Sequence, residues 1–237
     1  MATKPSSSRE RSAAARTRLL AAADELFYAE GIQAVGIDRV IQHAGVAKAT
    51  LYNTFGSKEA LVRAYLRARH AVTQERMDRE LERRYRTPRE RLVGVFEVQG
   101  LSFSDPVFHG CALVSANANA PLGGAVKAVS AEYRTWLHAL FHDLAEQAGA
   151  KDPKGLTRQL VLLYDGADIS AWLDRDPSAE TTARAVAQAL VDAAIPASAT
   201  HPEDLCPAHE MSRRSGPRTA AADPLTATGR TAATRQG

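Results

Sequence analysis

The stretch Gly36-Ile-Asp-Arg-Val-Ile-Gln-His-Ala-Gly45-Val-Ala-Lys-Ala-Thr50-Leu-Tyr-Asn-Thr-Phe55 decides the fold. Ile37, Val40, Ile41 and Ala44 recur at helical spacing, and Gly45 closes that short segment. Glycine there supplies the positive φ that a tight turn between steeply crossed helices needs. Val40, Ile41, Val46, Leu51 and Phe55 are spaced to bury the inside of the corner. The second helix then shows solvent Ala47, Lys48, Ala49, Thr50, Tyr52, Asn53 and Thr54. Small residues permit close approach to a major groove, while hydroxyl, amide and ammonium groups meet bases and phosphates. The pattern predicts a helix-turn-helix.

Working outward, the whole chain reads as helical. Leu19, Ala23, Leu26 and Phe27 form a stripe that Gly31 stops. Leu61, Tyr65, Ala68 and Val72 begin a long helix that Ser57 can cap and Glu59 can favour through the helix dipole. Thr87-Pro88-Arg89-Glu90 combines a capping box with proline at the first helical position, opening a helix with Leu92, Val95, Phe96, Leu101 and Phe103. Asp105-Pro106 and the run Ala120 to Gly124 break the chain. Val129, Tyr133, Trp136, Leu137 and Leu140 mark another helix. Asp152-Pro153 and Asp176-Pro177 each offer an N-cap followed by proline. Roughly nine helices with short connections result, an all-α fold in which a three-helix helix-turn-helix domain precedes a helical second domain.

Composition agrees. Of the 237 residues 45% are apolar and 24% charged, enough for a core in an ordered chain. The net charge of +3 is small, but its distribution is uneven. Residues 1–90 hold 17 Lys/Arg against 11 Asp/Glu, an excess of six that leaves the remainder acidic. Such asymmetry suits a DNA-reading module joined to something else, or equally a solvated basic face. No apolar run could span a membrane and no apolar segment follows the basic N-terminus, so the expected setting is cytoplasmic. Cys111 and Cys206 give neither a disulfide framework nor a metal spacing. From Pro196 onward the chain is rich in Ala, Thr, Pro and Ser and lacks aromatics, the composition of a disordered tail.

From about Arg16 to Leu66 the sequence resembles the TetR family of regulators. The carriers are Ala44-Gly45-Val46, Leu51-Tyr52, and Phe55-Gly56-Ser57-Lys58-Glu59-Ala60-Leu61. The resemblance implies that Lys48, Ala49 and Thr50 face bases and that Tyr52 touches the phosphate backbone. Lys58, at the start of the following helix, would hold a phosphate with nearby backbone N–H groups. Asn53 and Thr54 share the exposed face, and Arg39 sits on the backbone-facing side. Two departures stand out. Thr54 replaces a frequent histidine, and Gly36 replaces a frequent threonine or serine cap. Tyr52 could instead pack on the next helix, Lys58 and Arg39 could be merely solvated, and Arg9, Arg11, Arg16 and Arg18 form a basic arm or a soluble helix start.

The family also implies a homodimer, a small effector and a pseudo-palindromic double-stranded DNA operator, with repression favoured over activation. The expected division is a flexible arm over 1–11, the DNA-binding domain over 12–72, a ligand-binding and dimerisation domain over 73–195, and the tail over 196–237. Small residues near Leu160, Leu163, Ala167, Ala171, Ala183, Ala187 and Leu190 suit a two-fold helical interface, or internal packing. Phe96, Phe103, Phe108, Cys111, Asn117, Trp136, Leu140 and Tyr164 are pocket candidates for a lipophilic effector, or plain core. His138 and His142 share a helix face without a third metal ligand, and no cofactor or metal is expected. No phosphate loop, nucleophile elbow or Cys-His pairing suggests an enzyme. The rival reading is a small-molecule binding or interaction protein whose helix-turn-helix is only a scaffold.

Overall fold

The computed structural model describes residues 8–106, 108–118, 124–176 and 178–196, apart from the side chains of Ser8, Asn117, Ala118 and Ala125. Among them are nine helices and no strand. In order they are α1 (Ser8–Glu30), α2 (Ile37–Ala44), α3 (Lys48–Phe55), α4 (Lys58–Arg84), α5 (Pro88–Gly100), α6 (Ala112–Ala118), α7 (Ala125–Gln147), α8 (Pro153–Leu173) and α9 (Ala179–Ala194). The tail expected over 196–237 lies, after its first residue, outside the described residues, as do the breaks at Pro121 to Gly123 and at Pro177.

Local chemistry sets most boundaries. Gly31 ends α1 at φ +88. Gly45 ends α2 in the left-handed region, its N–H donating to Gln42 and that of Val46 to Ile41, which satisfies two carbonyls the helix end would orphan. The Ser57 side chain accepts from Ala60 N–H at 3.1 Å and caps α4. Thr87 and Glu90 form the reciprocal capping box of α5, and Asp152 caps α8 through the Gly155 N–H.

Three boundaries differ from the sequence reading. α1 already begins at Ser8, so Arg9 and Arg11 stand on a helix rather than in an arm. α5 ends at Gly100, leaving Leu101 and Phe103 in the turns that follow. A Cβ at Gly100 would lie 2.2 Å from Glu180 Cγ, so glycine lets α9 pack closely on the end of α5. Asp176 does not cap α9 but accepts the N–H of Ser178 at 2.8 Å, and Ser178 takes the cap position.

Packing follows the stripes. α1 packs on α2, α3 and α4, and Leu19, Ala23, Val35, Val40 and Leu51 are buried among them. α5, α7, α8 and α9 pack together around Phe96, Leu137, Phe141, Leu160 and Ala187. α4 joins the two groups, burying Leu61 and Tyr65 near its start and Met77 and Leu81 beyond, and it runs unbroken across residue 72. Ala68 and Val72, read as part of its buried stripe, are exposed, Val72 to 64%.

At Gly45 an added Cβ would meet nothing within 4 Å, so substitution costs only the backbone torsion. Gly45→Ala should therefore destabilise by on the order of 1 kcal/mol, with Gly45→Asn less costly. Urea unfolding of the three proteins checks this; equal stabilities would contradict the turn geometry.

Candidate functional site

The helix-turn-helix presents the face that its sequence foretold. Leu51 is fully buried, while Ala47, Lys48, Ala49, Asn53 and Tyr52 are exposed, Tyr52 to 46%. Thr50 and Thr54 are half-buried, and the Thr54 hydroxyl donates to the Thr50 carbonyl at 2.7 Å along its own helix. Its lone pairs stay available as acceptors, but its proton is committed. Lys48 pairs with Asp38 at 2.9 Å, which holds the ammonium above its ordinary pKa. Arg39 is forked to Glu30, at 2.8 Å for one of the two bonds. Lys48 opens α3 and Arg39 stands on α2, and each carries an acid with it.

Lys58 lies elsewhere. Its ammonium donates to the Ile32 carbonyl at 2.8 Å and sits 5.9 Å from the centre of the Phe27 ring; burial lowers its pKa. It ties the start of α4 to the α1–α2 connection. Among the other basic residues, Arg16 covers the Phe55 ring at 4.8 Å and Arg18 reaches the Gly45 carbonyl at 3.5 Å. These two arginines buttress the corner.

A second feature joins this domain to the rest. The Arg69 guanidinium of α4 donates to both carboxylate oxygens of Asp24 on α1, at 2.6 and 3.0 Å, and lies 3.5 Å from the centre of the Tyr28 ring. The Tyr28 hydroxyl donates to the Gly110 carbonyl at 3.1 Å and accepts the His109 N–H at 3.0 Å. α1 is thereby tied to α4 and to the connection before α6.

Beside this junction lies a cavity of about 660 Å³. Phe108, Cys111 and Tyr164 of the eight expected residues line it, with Tyr28, Tyr65 and Tyr133. The other described ones do not. Phe96 is buried against Phe141 and Tyr164 in the core, Phe103 packs on Phe108 to one side, Trp136 stands against His70 and Tyr133, and Leu140 packs on the core. The side chain of Asn117 lies outside the described residues. The walls also carry Asp24, Arg69, His70, Arg76, Gln99 and Asp168, none foreseen. A sequence signal existed: Asp168 interrupts the stripe Leu160, Tyr164, Ala171, and Arg69, Thr73 and Arg76 repeat at helical spacing on α4.

Electrostatics here follow burial. The Asp168 carboxylate accepts the Cys111 N–H at 2.7 Å, yet burial raises its pKa to about 6 from the ordinary 3.8. Burial pushes the Cys111 thiol up to about 11, so it is almost wholly protonated at neutral pH. On α7, His142 comes together with Asp143 and Glu146 rather than with His138, on exposed turns.

The expected interface residues on α8 and α9 divide by burial. Leu160, Ala167, Ala171, Ala183 and Ala187 are buried within the chain, their small side chains letting these helices approach closely, and Leu163 and Leu190 are half-buried. The outward face carries instead Leu162, exposed to 75%, with Ile169 and Leu173, while Val186 is exposed on α9. Gly166 sits in the same row of α8 with nothing near its Cα hydrogen.

The comparisons with known proteins agree with this architecture. The profile of bacterial regulatory proteins of the TetR family matches residues 19–65. A TetR-family transcriptional regulator from Streptomyces coelicolor is 31% identical, covering 77% of this chain and 96% of its own, with a TM-score of 0.71. A TetR-type regulator from Streptomyces avermitilis is 32% identical over 76% and 97%, with a TM-score of 0.67. NemR of Escherichia coli in its reduced form shares the fold at 23% identity, 74% and 95% coverage and a TM-score of 0.67. No curated protein matches the sequence. The chain belongs to the TetR family, a class of helix-turn-helix regulators of transcription that bind DNA. No helix among the described residues is long and apolar enough to cross a membrane.

The Asp168 shift has a definite sign. A carboxylate raised by folding contributes full stability below its unfolded value near 4, and that contribution is lost as pH rises through about 6. Asp168→Asn should unfold at a temperature close to the unsubstituted protein at pH 4 and higher at pH 7.5. Calorimetry at both pH values checks this; a gap independent of pH would contradict it.

Proposed function

We propose that the chain is a cytoplasmic, ligand-responsive repressor that binds a pseudo-palindromic operator as a homodimer and has no enzymatic activity. The observation that carries the reading is the exposed face of α3, where Lys48, Ala49, Tyr52 and Asn53 surround a fully buried Leu51. Residues 12–72 read the DNA, and 73–195 hold the effector and the dimer contact. Lys48 and Thr50 meet base edges, and Tyr52 and Asn53 meet phosphates or bases alongside. Arg39 and the start of α4 fix the backbone, Thr54 offers only an acceptor, and Lys58 braces the domain from behind. Two α3 helices would enter successive major grooves about one helical turn apart.

The second copy sits on the row Leu162, Gly166, Ile169 and Leu173 of α8 with Val186 of α9. Glycine admits close helix approach, and the large apolar groups exposed beside it are what a two-fold helical interface buries. The effector occupies the cavity beside the Asp24–Arg69–Tyr28 junction. It would change the angle at which α1 meets the body and so the separation of the two α3 helices, a coupling typically worth ~1–3 kcal/mol.

Operator DNA selected from random fragments gives the test. Lys48→Ala and Tyr52→Ala should each weaken binding about tenfold, and affinity should fall steeply with salt. Unchanged binding by both variants would reject the assigned face. Leu162→Glu combined with Leu173→Glu should yield a monomer in sedimentation and lose most operator affinity; a dimer that persists would place the interface elsewhere.

A further inference from the structure

We propose that the cavity beside the Asp24–Arg69 pair binds a small dipolar molecule, its acidic group meeting Arg76 and its basic group meeting Asp168. The inference rests on reading this cavity as the effector site and names the chemistry the site takes. Its volume of about 660 Å³ falls in the range of small-molecule sites.

Two opposite charges on its walls are left without ionic partners. Arg69 is neutralised by Asp24. Arg76 of α4 and Asp168 of α8, among the described residues, enter no ion pair with each other or with any other group. Asp168 has one backbone N–H, from Cys111, and the Nε of Arg76 is enclosed without a hydrogen-bond partner. Both residues line the same cavity as Tyr164. Enclosed charges and polar atoms are ordinarily paired, so these groups ask for a partner from outside the chain.

Two further polar atoms on the same walls have the same character. Gln99 is 2% exposed, and its amide donates to the Tyr164 carbonyl at 2.9 Å, leaving Oε1 an acceptor with no donor. His70 Nε2 is likewise enclosed without a partner, while burial lowers its pKa and keeps the ring neutral. Between them Tyr65, Tyr133, Tyr164 and Phe108 give the apolar surface for the body of a ligand.

The other ligand classes fit less well. A simple anion would face Asp24, Asp105 and Asp168, and a simple cation would face Arg69 and Arg76. A neutral lipophile would seal Gln99 Oε1, His70 Nε2 and Arg76 Nε in an apolar contact without partners. A molecule with one acidic and one basic end pairs both charges at once. Because α1 supplies Thr17, Leu20, Ala21, Asp24 and Tyr28 to the same walls, such a molecule would touch the DNA-binding domain directly.

The test uses one skeleton in four charge states. L-phenylalanyl-L-alanine is titrated into the full chain without DNA, with free ends, N-acetylated, C-amidated, or capped at both ends. Calorimetry or ligand-observed NMR should show the free dipeptide binding at least tenfold more tightly than any capped form. Arg76→Gln should abolish the advantage over the amidated form only, and Asp168→Asn the advantage over the acetylated form only. Arg76→Lys and Asp168→Glu should retain the order, and unfolding curves show that each variant folds. Equal binding of all four, tightest binding of the doubly capped form, no binding by any, or a preference indifferent to the two substitutions would overturn the proposal. If the preference holds but the free dipeptide leaves operator affinity unmoved, the dipolar site stands and the effector reading falls.

Discussion

The contact on which the rest depends is the one Arg69 makes from the middle of α4. One planar guanidinium forks onto Asp24 and stacks on Tyr28, both residues of α1. Arginine suits this place because its flat, permanently charged head can do both at once; a lysine could do neither with the same geometry. Tyr28 in turn holds the backbone at His109 and Gly110. The helix-turn-helix packs on α1, so its orientation relative to α5, α7, α8 and α9 passes through this junction and through α4 itself.

That placement gives the cavity its meaning. A ligand buried wholly within the body would have to act through helix displacement alone. Here the same walls include α1, α4 and α8, and Arg69 with Asp24 forms part of the lining. An occupant, on the proposed reading, would compete for or reinforce the contacts between α1 and α4. It need favour one angle over another by only a few kcal/mol to shift a two-state population. The half-exposed ion pair is weak enough to rearrange, whereas the buried core of either side is not.

How much of this was legible in the sequence varies by element. The DNA-binding corner was legible nearly residue by residue. Its determinants are local: Gly45 for the turn, Leu51 for burial, Ser57 for the next cap. The family resemblance rested on the same stretch. The body was legible as helices, because capping boxes and prolines act within one turn, but the partners of each face were not. Ala167, Ala171, Ala183 and Ala187 suit close helix packing whether the neighbour is the same chain or a copy, and only the fold assigns them to α8 and α9 of one chain. Leu162, Ile169 and Leu173 then remain for the outside. The cavity was the least legible part, since its walls come from α1, α4, the end of α5, and α6 to α8. Aromatic residues such as Phe96 and Trp136 gave no sign of which would be core. The polar intruders on apolar stripes, Asp168 above all, were the better signal. The Ile32 carbonyl that Lys58 meets lies 26 residues away, and nothing local to the helix start signals it.

The central claim is that α3 is the surface that meets DNA while α8 and α9 meet a second copy. Amide hydrogen exchange on the full chain, with and without selected operator DNA, tests it most directly. The account predicts new protection concentrated in residues 46–60, with α8 and α9 equally protected in both states because the dimer precedes binding. Protection that appears elsewhere while 46–60 exchanges as before would contradict it.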